Sequence, residues 1–418
     1  MLPLVEVKKR QLKEYRDLVP GCLLKEIDSL SRELRGKKIF HVNSTPKGGG
    51  VAEILKSLVP LMRDVGLDAE WYTAPFDGDF FEITKRMHNA LQGKDCPITS
   101  NEKKKYMEQV GLVAELMKEM KPDIWVIHDP QPAGVVDFLP NLHPSIFRLH
   151  IDLTSPNPET WNFISSFASR YDKVIVSSSD FIKKEIKEKA IVAQPAIDAF
   201  SSKNRKISPK RARETLKIFG IDPGRPFIAQ VSRFDPWKDP LGVVRAYRIA
   251  KKEIPDLQLA LVGFLMARDD PEAERVYGEV AKEVGNDPDI FLFTDLAKLG
   301  SLSVDSFVGC VQTSADVVLQ KSTREGFGMT VAEAMWKEKP VIGGNVGGIR
   351  FQIEDEKNGF LVSSSEEAAG RILQLIKSPE LRQKMGREAK KTIRDKFLMP
   401  RLLRDYLRAF KELEKSAD

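Results

Sequence analysis

Ser232, Arg233 and Lys238 stand in one short loop that directly follows the apolar segment PFIAQV. A planar guanidinium and a mobile ammonium at the end of a predicted strand suit a group with two or more negative charges, such as a diphosphate. An exposed basic loop without any ligand is the simpler interpretation, and for these residues alone we would favour it. The loop becomes informative only together with a second segment further along the chain.

The second segment, EGFGMTVAE at residues 325–333, lies between a predicted strand and a predicted helix. Its glycines, Gly326 and Gly328, allow a ligand to approach the backbone closely. The helix that begins near Met329 and Thr330 presents free amides and the positive end of its dipole, which favours a bound phosphate. This segment therefore also predicts an anion site.

Two carboxylates frame the second segment. Glu333 lies about one turn into the predicted helix and could accept both hydroxyls of a ribose, whereas Glu325 precedes the helix and could reach a sugar. For each residue taken alone, we would favour the simpler interpretation, with Glu333 an ordinary exposed helix residue and Glu325 a capping carboxylate. Together with the basic loop, they predict a single site for a nucleotide that carries a sugar.

The first half of the chain holds further candidates. Gly49 and Gly50 belong to a run of three glycines before a predicted helix, where the backbone could approach a phosphate or a sugar, although a flexible turn is the alternative. His150 ends a predicted strand, but a lone histidine is more often structural than catalytic. The polar residues that could contact an acceptor are Asp152, His128, Asp129 and Gln131.

Short apolar strands alternate with helices through most of the chain. The strands are continuously apolar, which is typical of parallel sheets covered on both faces. The polar segment at residues 199–209 interrupts the alternation, which then starts again. We predict an α/β protein with two Rossmann-like, doubly wound domains, at residues 36–200 and 201–395, that face each other across a cleft.

The two ends of the chain lie outside this alternation. Residues 1–35 are predicted to form an amphipathic helical arm, which could serve a homodimer. Residues 396–418 are predicted to form a long amphipathic helix that could cross back to the first domain.

The pattern SR-x4-K, followed by E-x7-E with internal glycines, resembles the retaining family-4 glycosyltransferases, which have the GT-B fold. The resemblance implies that Arg233 and Lys238 hold the donor diphosphate, that Glu333 holds the ribose and that Glu325 contacts the donor sugar. It further implies that the triple-glycine loop closes over the substrates. By the same resemblance, His150 contacts the donor sugar near the reacting carbon.

The segments IHDPQP, FRLHID and VGGIRFQI look like the branch of this family that contains trehalose synthases and trehalose phosphorylases. This likeness implies a reversible transfer of glucose from UDP- or ADP-glucose to free glucose, which gives α,α-trehalose. A trehalose phosphorylase and a related retaining transferase with another hexose acceptor are the alternatives. A nucleotide-sugar sensor without catalysis is an alternative from another class, which the retention of Glu325 and His150 disfavours.

Charge and cysteine content limit which binding partners and which cellular compartment we expect. The 66 basic and 60 acidic residues are interspersed and leave a net charge of +6, so nothing indicates nucleic-acid binding. The cysteines Cys22, Cys96 and Cys310 are far apart, which fits a reducing cytoplasm and no zinc site. No apolar run approaches the roughly 18 residues that span a bilayer. We expect a cytoplasmic protein that does not bind membranes.

Two cations and a helix end would already face the diphosphate, so we expect that no metal or other cofactor is required. Magnesium could still stimulate the reaction. Asp269 and Asp270 lie in a charged loop and not at a predicted strand end, where a metal-binding acidic cluster would be expected.

Overall fold

The computed structural model describes residues 1–264 and 272–417, so Asp269 and Asp270 lie outside the described residues. The described residues fall into two compact units. The first unit contains residues 1–196 and 398–417, and the second contains residues 197–264 and 272–397. The chain passes from the first unit to the second slightly before residue 200, where the sequence predicted the boundary.

The first unit is built on a six-stranded parallel sheet in the order β2-β1-β3-β4-β5-β6. Its strands are β1 (Lys38–Asn43), β2 (Asp68–Thr73), β3 (Ile124–His128), β4 (Ser145–Arg148), β5 (Lys173–Val176) and β6 (Ala190–Val192). Its first helices are α1 (Gly21–Glu33), α2 (Gly50–Asp64), α3 (Gly78–Leu91), α4 (Ser100–Met117) and α5 (Pro158–Ala168). Short 3₁₀ helices occur at Leu12–Tyr15, Ala133–Asp137, Ser179–Phe181 and Lys184–Lys189.

The second unit repeats this plan with the strand order β12-β11-β10-β7-β8-β9, again all parallel. Its strands are β7 (Phe227–Val231), β8 (Gln258–Val262), β9 (Ile290–Phe293), β10 (Val317–Gln320), β11 (Val341–Gly344) and β12 (Phe360–Val362). Its helices are α6 (Pro209–Lys217), α7 (Pro240–Lys251), α8 (Ala273–Val284), α9 (Val304–Ser314), α10 (Met329–Trp336), α11 (Ile349–Gln352), α12 (Ser365–Lys377) and α13 (Pro379–Lys396). Its 3₁₀ helices are Pro236–Lys238 and Leu296–Leu299.

The last helix, α14 (Met399–Ala417), belongs to the first unit, where it packs against α1 and α2. Its apolar residues are buried, with Leu403, Leu407 and Phe410 all at 0% exposure. Ion pairs at the rim reinforce the contact with α1, and Lys411 Nζ lies 2.6 Å from Glu33 Oε1. The helix α14 covers α1, whose Ile27 is fully buried, so part of the amphipathic face of this segment packs within the first unit, and the homodimer stays a prediction.

The prediction of helix throughout residues 1–35 is wrong for the first part of this segment. Leu4 forms an antiparallel bridge with Tyr72, the Val5 amide donates to the Trp71 carbonyl at 2.8 Å, and the Thr73 amide donates to the Pro3 carbonyl at 3.0 Å. The edge strand β2 would otherwise expose unpaired backbone groups, and the extended N-terminus satisfies them.

The fold class predicted from the apolar strands is confirmed for both units. Of the strands, β12 was not predicted, because its run FLV of three apolar residues is followed directly by serines and leaves too little pattern to recognise. Among residues 1–264 and 272–417, no helix combines the length and the apolar character needed to cross a membrane.

Candidate active site

The two predicted motif loops follow β7 and β10, which are neighbours in the second sheet. The connection after β7 leads to one side of the sheet, and the strand after β10 lies on the other side. This reversal opens a crevice at the carboxyl ends of the two strands, where ligands of doubly wound sheets bind. The fold therefore places both motifs at the edge where a nucleotide site is expected.

Two contacts join the motif loops. Lys238 Nζ lies 2.5 Å from Glu325 Oε2, and the Thr323 amide donates to the Trp237 carbonyl at 2.8 Å. Gln230, on β7, holds the first loop by donating its amide to the Lys238 carbonyl at 2.8 Å. The structure thus brings together the basic loop and the carboxylate loop that the sequence assigned to one site.

Asp239 fixes the end of the basic loop, and the sequence did not single it out. Its backbone adopts φ 46°, which is left-handed, and its carboxylate caps α7 by accepting from the Gly242 amide at 3.0 Å. The same carboxylate pairs with Lys321, just after β10. This second ion pair also joins the loop after β7 to the loop after β10.

Ser232 and Arg233 begin the basic loop and are both half-buried. The Ser232 amide donates to the Val262 carbonyl at 3.0 Å, which extends the pairing of β7 with β8 by one residue. A Cβ on Gly263 would overlap the Ser232 carbonyl. Close backbone packing therefore determines the position from which Arg233 leaves the sheet.

The carboxylate loop turns into α10 at Gly328, which has φ 89° and stands at the N-cap. The amides of Met329 and Thr330, the first two in the helix, bond no acceptor among the described residues. Gln352 holds the loop by donating to the Phe327 carbonyl at 2.5 Å. The helix start that the sequence predicted at this position is therefore formed and has two amides available, and its binding of an anion stays a prediction.

Glu333 lies on α10 and is only 3% exposed. Lys203 Nζ is 3.3 Å from its Oε1, whereas its Oε2 is buried without a hydrogen-bond partner. A buried carboxylate oxygen without a donor is costly, and the hydroxyl of a ligand would relieve that cost. This geometry suits the predicted contact of Glu333 with a ribose.

Lys337, at the C-terminal end of α10, holds this helix in place. Its ammonium donates to the carbonyl of Glu333 at 3.1 Å, to Asn204 Oδ1 at 2.9 Å and to Gln312 Oε1 at 2.9 Å. Burial lowers the pKa of Lys337 to about 8, although the charge of Glu333 opposes this effect. Lys203 and Asn204 come from the polar segment at residues 199–209, which is part of the second unit.

In the first unit, three histidines form a chain of ring contacts. His41 Nδ1 lies 3.0 Å from His128 Nε2, and His128 Nδ1 lies 3.1 Å from His150 Nε2. His128 is 1% exposed and both its nitrogens face other histidines. A direct contact between His128 and an acceptor, as predicted, does not fit this arrangement. His41, on β1, was missed because a single histidine inside a strand gives no motif.

The other predicted acceptor residues mainly hold the backbone near His150. Asp129, at φ 63°, accepts the His150 amide at 2.8 Å. Asp152 is 1% exposed, and its Oδ1 accepts both the amide and the hydroxyl of Thr154, at 2.9 Å and 2.6 Å. Gln131 differs from these, because it is half-buried and its Oε1 has no partner. Of this group, Gln131 is the residue best suited to meet a ligand.

Gly49 and Gly50 stand at the start of α2, directly after β1. Gly49 has an extended backbone, and a Cβ added there would meet nothing within 4 Å. The fold itself therefore does not require glycine at this position. Open space in front of a helix start is compatible with the predicted approach of a phosphate or a sugar.

Among the described residues, no group of three or more histidine, cysteine, aspartate or glutamate side chains is arranged to hold a metal ion. Whether a metal affects the reaction stays a prediction that only an assay can test.

The sequence profile "Trehalose synthase, N-terminal domain" matches residues 41–183, and the profile "Glycosyl transferases group 1" matches residues 212–392. The trehalose synthase of Thermococcus litoralis is 43% identical over 400 residues, which cover 95% of this chain and 96% of that protein. The trehalose synthase of Rubrobacter xylanophilus is 42% identical over 419 residues, covering 99% of both. The chain belongs to the trehalose synthase family of glycosyltransferases.

More distant relatives of this family member include the trehalose phosphorylase of Pleurotus pulmonarius. It is 29% identical over 434 residues, which cover 92% of this chain but only 58% of the phosphorylase. The crystal structure of Anabaena HepE in complex with UDP and glucose superposes with a TM-score of 0.68 at 18% identity, covering 90% of this chain and 100% of HepE. This likeness confirms the predicted GT-B fold class.

The environment of Glu333 gives a stability prediction for this family member. Lys203→Met removes the cation beside a buried carboxylate, so we expect unfolding of the second unit to become easier by about 3 kcal/mol. The double variant Lys203→Met/Glu333→Gln should recover much of this loss, because the uncompensated charge is gone. Urea denaturation of each variant measures the effect.

Lys210→Met, at an exposed lysine on α6, is the matched control and should unfold like the unchanged chain. A Lys203→Met variant of unchanged stability, or a double variant no more stable than the single one, would show that the ion pair does not stabilise this region.

Proposed function

We propose that the chain transfers glucose from a nucleoside diphosphate glucose to the anomeric hydroxyl of free glucose, reversibly and with retention of configuration, to give α,α-trehalose. The observation that carries this proposal is the contact of 2.5 Å between Lys238 and Glu325 at the crevice of the second sheet. It brings together the cation that we propose for the diphosphate and the carboxylate that we propose for the sugar. The relatives that match 95% and 99% of this chain are named trehalose synthases, which supports trehalose as the product.

In this proposal, Arg233, Lys238 and the free amides at the start of α10 bind the donor diphosphate. Lys238 then exchanges Glu325 for a phosphate oxygen, and Glu325 becomes available to accept a hydroxyl of the donor glucose. The unpaired Oε2 of Glu333 accepts a ribose hydroxyl. Each buried charge that loses a partner thus gains one from the ligand, which favours the correct donor.

The chemical step that fits these residues is attack on the face that the leaving group vacates. The bond between the anomeric carbon and the phosphate oxygen breaks, and a bond to the acceptor oxygen forms on the same face. The acceptor's proton passes to the departing phosphate oxygen. Arg233, Lys238 and the helix amides stabilise the charge that develops on the nucleoside diphosphate. This scheme requires no metal, and comparing rates with magnesium and with a chelator tests that part of it.

Product analysis tests the proposed reaction. Purified protein is incubated with UDP-glucose or ADP-glucose and free glucose, and we expect trehalose and the nucleoside diphosphate as products. In the reverse direction, a nucleoside diphosphate should drive the breakdown of trehalose. Breakdown driven by inorganic phosphate would instead identify a phosphorylase. Transfer to another hexose would overturn the acceptor assignment, and tight donor binding without any product would indicate a sensor.

Two substitutions test the role assigned to the basic loop. Arg233→Ala and Lys238→Ala should each lower kcat about 10²- to 10³-fold, because each removes a group that stabilises developing charge. Both variants should stay folded at the assay temperature, and Lys238→Ala should melt earlier than Arg233→Ala because it removes the ion pair to Glu325. Steady-state kinetics and thermal denaturation measure the two effects separately.

Lys384→Ala, at an exposed lysine on α13, removes a cation from the same unit away from the site and serves as the control. If either variant in the basic loop keeps near-normal turnover, the charge-stabilising role is wrong.

A further inference from the structure

The chain of three histidines in the first unit ends at a sulfur atom. His41 Nε2, which faces away from His128, lies 3.4 Å from the thioether sulfur of Met62 on α2. At the other end, His150 Nδ1 bonds no partner among the described residues, and His150 is half-buried. The chain therefore runs from a buried sulfur to a ring nitrogen that a ligand can reach.

The sulfur of Met62 determines the direction of the hydrogen bonds. A thioether carries no proton and can only accept, so the hydrogen between His41 and Met62 must lie on His41 Nε2. In a neutral ring, Nδ1 of His41 is then an acceptor, and His128 must donate from Nε2. By the same step, His128 Nδ1 accepts from Nε2 of His150. Each ring carries its proton on Nε2.

All three rings are held in the neutral form that this order requires. Burial lowers the pKa of His41 to about 3. Burial also lowers the pKa of His128 and of His150 well below the usual value, and the charge of the buried Arg148 acts in the same direction on both. A further proton on these rings would add a second positive charge near this guanidinium. The three histidine rings therefore carry no positive charge at neutral pH.

We propose that His41, His128 and Met62 are positioning residues that fix the tautomer of His150, so that its Nδ1 presents only a lone pair to the ligand. The group that His150 recognises is then a hydrogen-bond donor, namely a hydroxyl of the sugar. This inference rests on the proposed function and on the contact of His150 with the donor sugar that the family resemblance implies. It adds that the specificity of the contact is set by residues that act through the His150 ring and do not touch the ligand themselves.

The opposite order of the chain would place a proton on Nδ1 of His150 and turn the site into a donor. That order would leave a lone pair of His41 facing the lone pairs of the Met62 sulfur, without any hydrogen between them. Met62→Leu removes the acceptor while preserving the apolar character and approximate size of the side chain. In this variant, a proton on His41 Nε2 no longer forms a hydrogen bond. The tautomer with the proton on Nδ1 is then no longer disfavoured, so the opposite order of hydrogen bonds becomes accessible.

Nuclear magnetic resonance of the full-length chain, labelled with ¹⁵N-histidine and free of ligand, tests the proposal. The protein has five histidines. The variants His88→Gln and His143→Gln identify the signals of the two histidines outside the three contacting rings. We expect His41, His128 and His150 to show a protonated Nε2 and an unprotonated Nδ1. In Met62→Leu, signals with a protonated Nδ1 should appear for all three, and kcat/KM should fall about two- to tenfold.

Met117→Leu, at a buried methionine of α4 in the same unit, is the matched control and should change neither the spectrum nor the kinetics. A protonated Nδ1 on His150 in the unchanged chain would overturn the proposal, and so would a Met62→Leu spectrum identical to it. Because the spectra are recorded without substrate, a wrong sugar assignment would leave them unchanged and would show only in the product analysis.

Discussion

The buried ion pair of Lys238 and Glu325 is the interaction on which the site in the second unit depends. It joins two loops that are 87 residues apart in the sequence, and the side chains are only 20% and 11% exposed. Removing one member of such a pair leaves an uncompensated charge, which costs about 3–5 kcal/mol. A ligand can therefore separate the pair only if it offers a new partner to each member. A diphosphate attached to a sugar meets both conditions.

The same principle recurs at Glu333, where Lys203 pairs with one carboxylate oxygen and the other is left without a partner. It recurs in a neutral form in the first unit, where histidine rings satisfy one another and leave one nitrogen of His150 for a ligand. In each case the polar group that we propose to meet the ligand is held by a second polar group of the protein. The second group is what fixes its direction and its charge.

The sequence was sufficient to predict both parallel sheets and the donor motifs, because apolar strand runs and the spacing of Arg233, Lys238, Glu325 and Glu333 are local patterns. It could not reveal His41 or Lys203, since each is one polar residue in a strand or a loop, and its meaning comes from a partner distant in sequence. The same limit explains His128, whose ring partners are His41 and His150, whereas for Asp152 the sequence did not reveal its burial. Their types and positions suggested ligand contacts, whereas their burial and bonding partners assign them to support.

A double-mutant cycle on Lys238 and Glu325 tests most directly whether the two residues act on one bound donor. The values of kcat/KM for the donor are measured for Lys238→Met, Glu325→Gln and the double variant in the trehalose-forming reaction. If both residues grip the same donor, the double variant should lose at least about fivefold less activity than the product of the two single losses, a coupling of about 1 kcal/mol. Losses that simply multiply would contradict the account, because independent residues behave in that way.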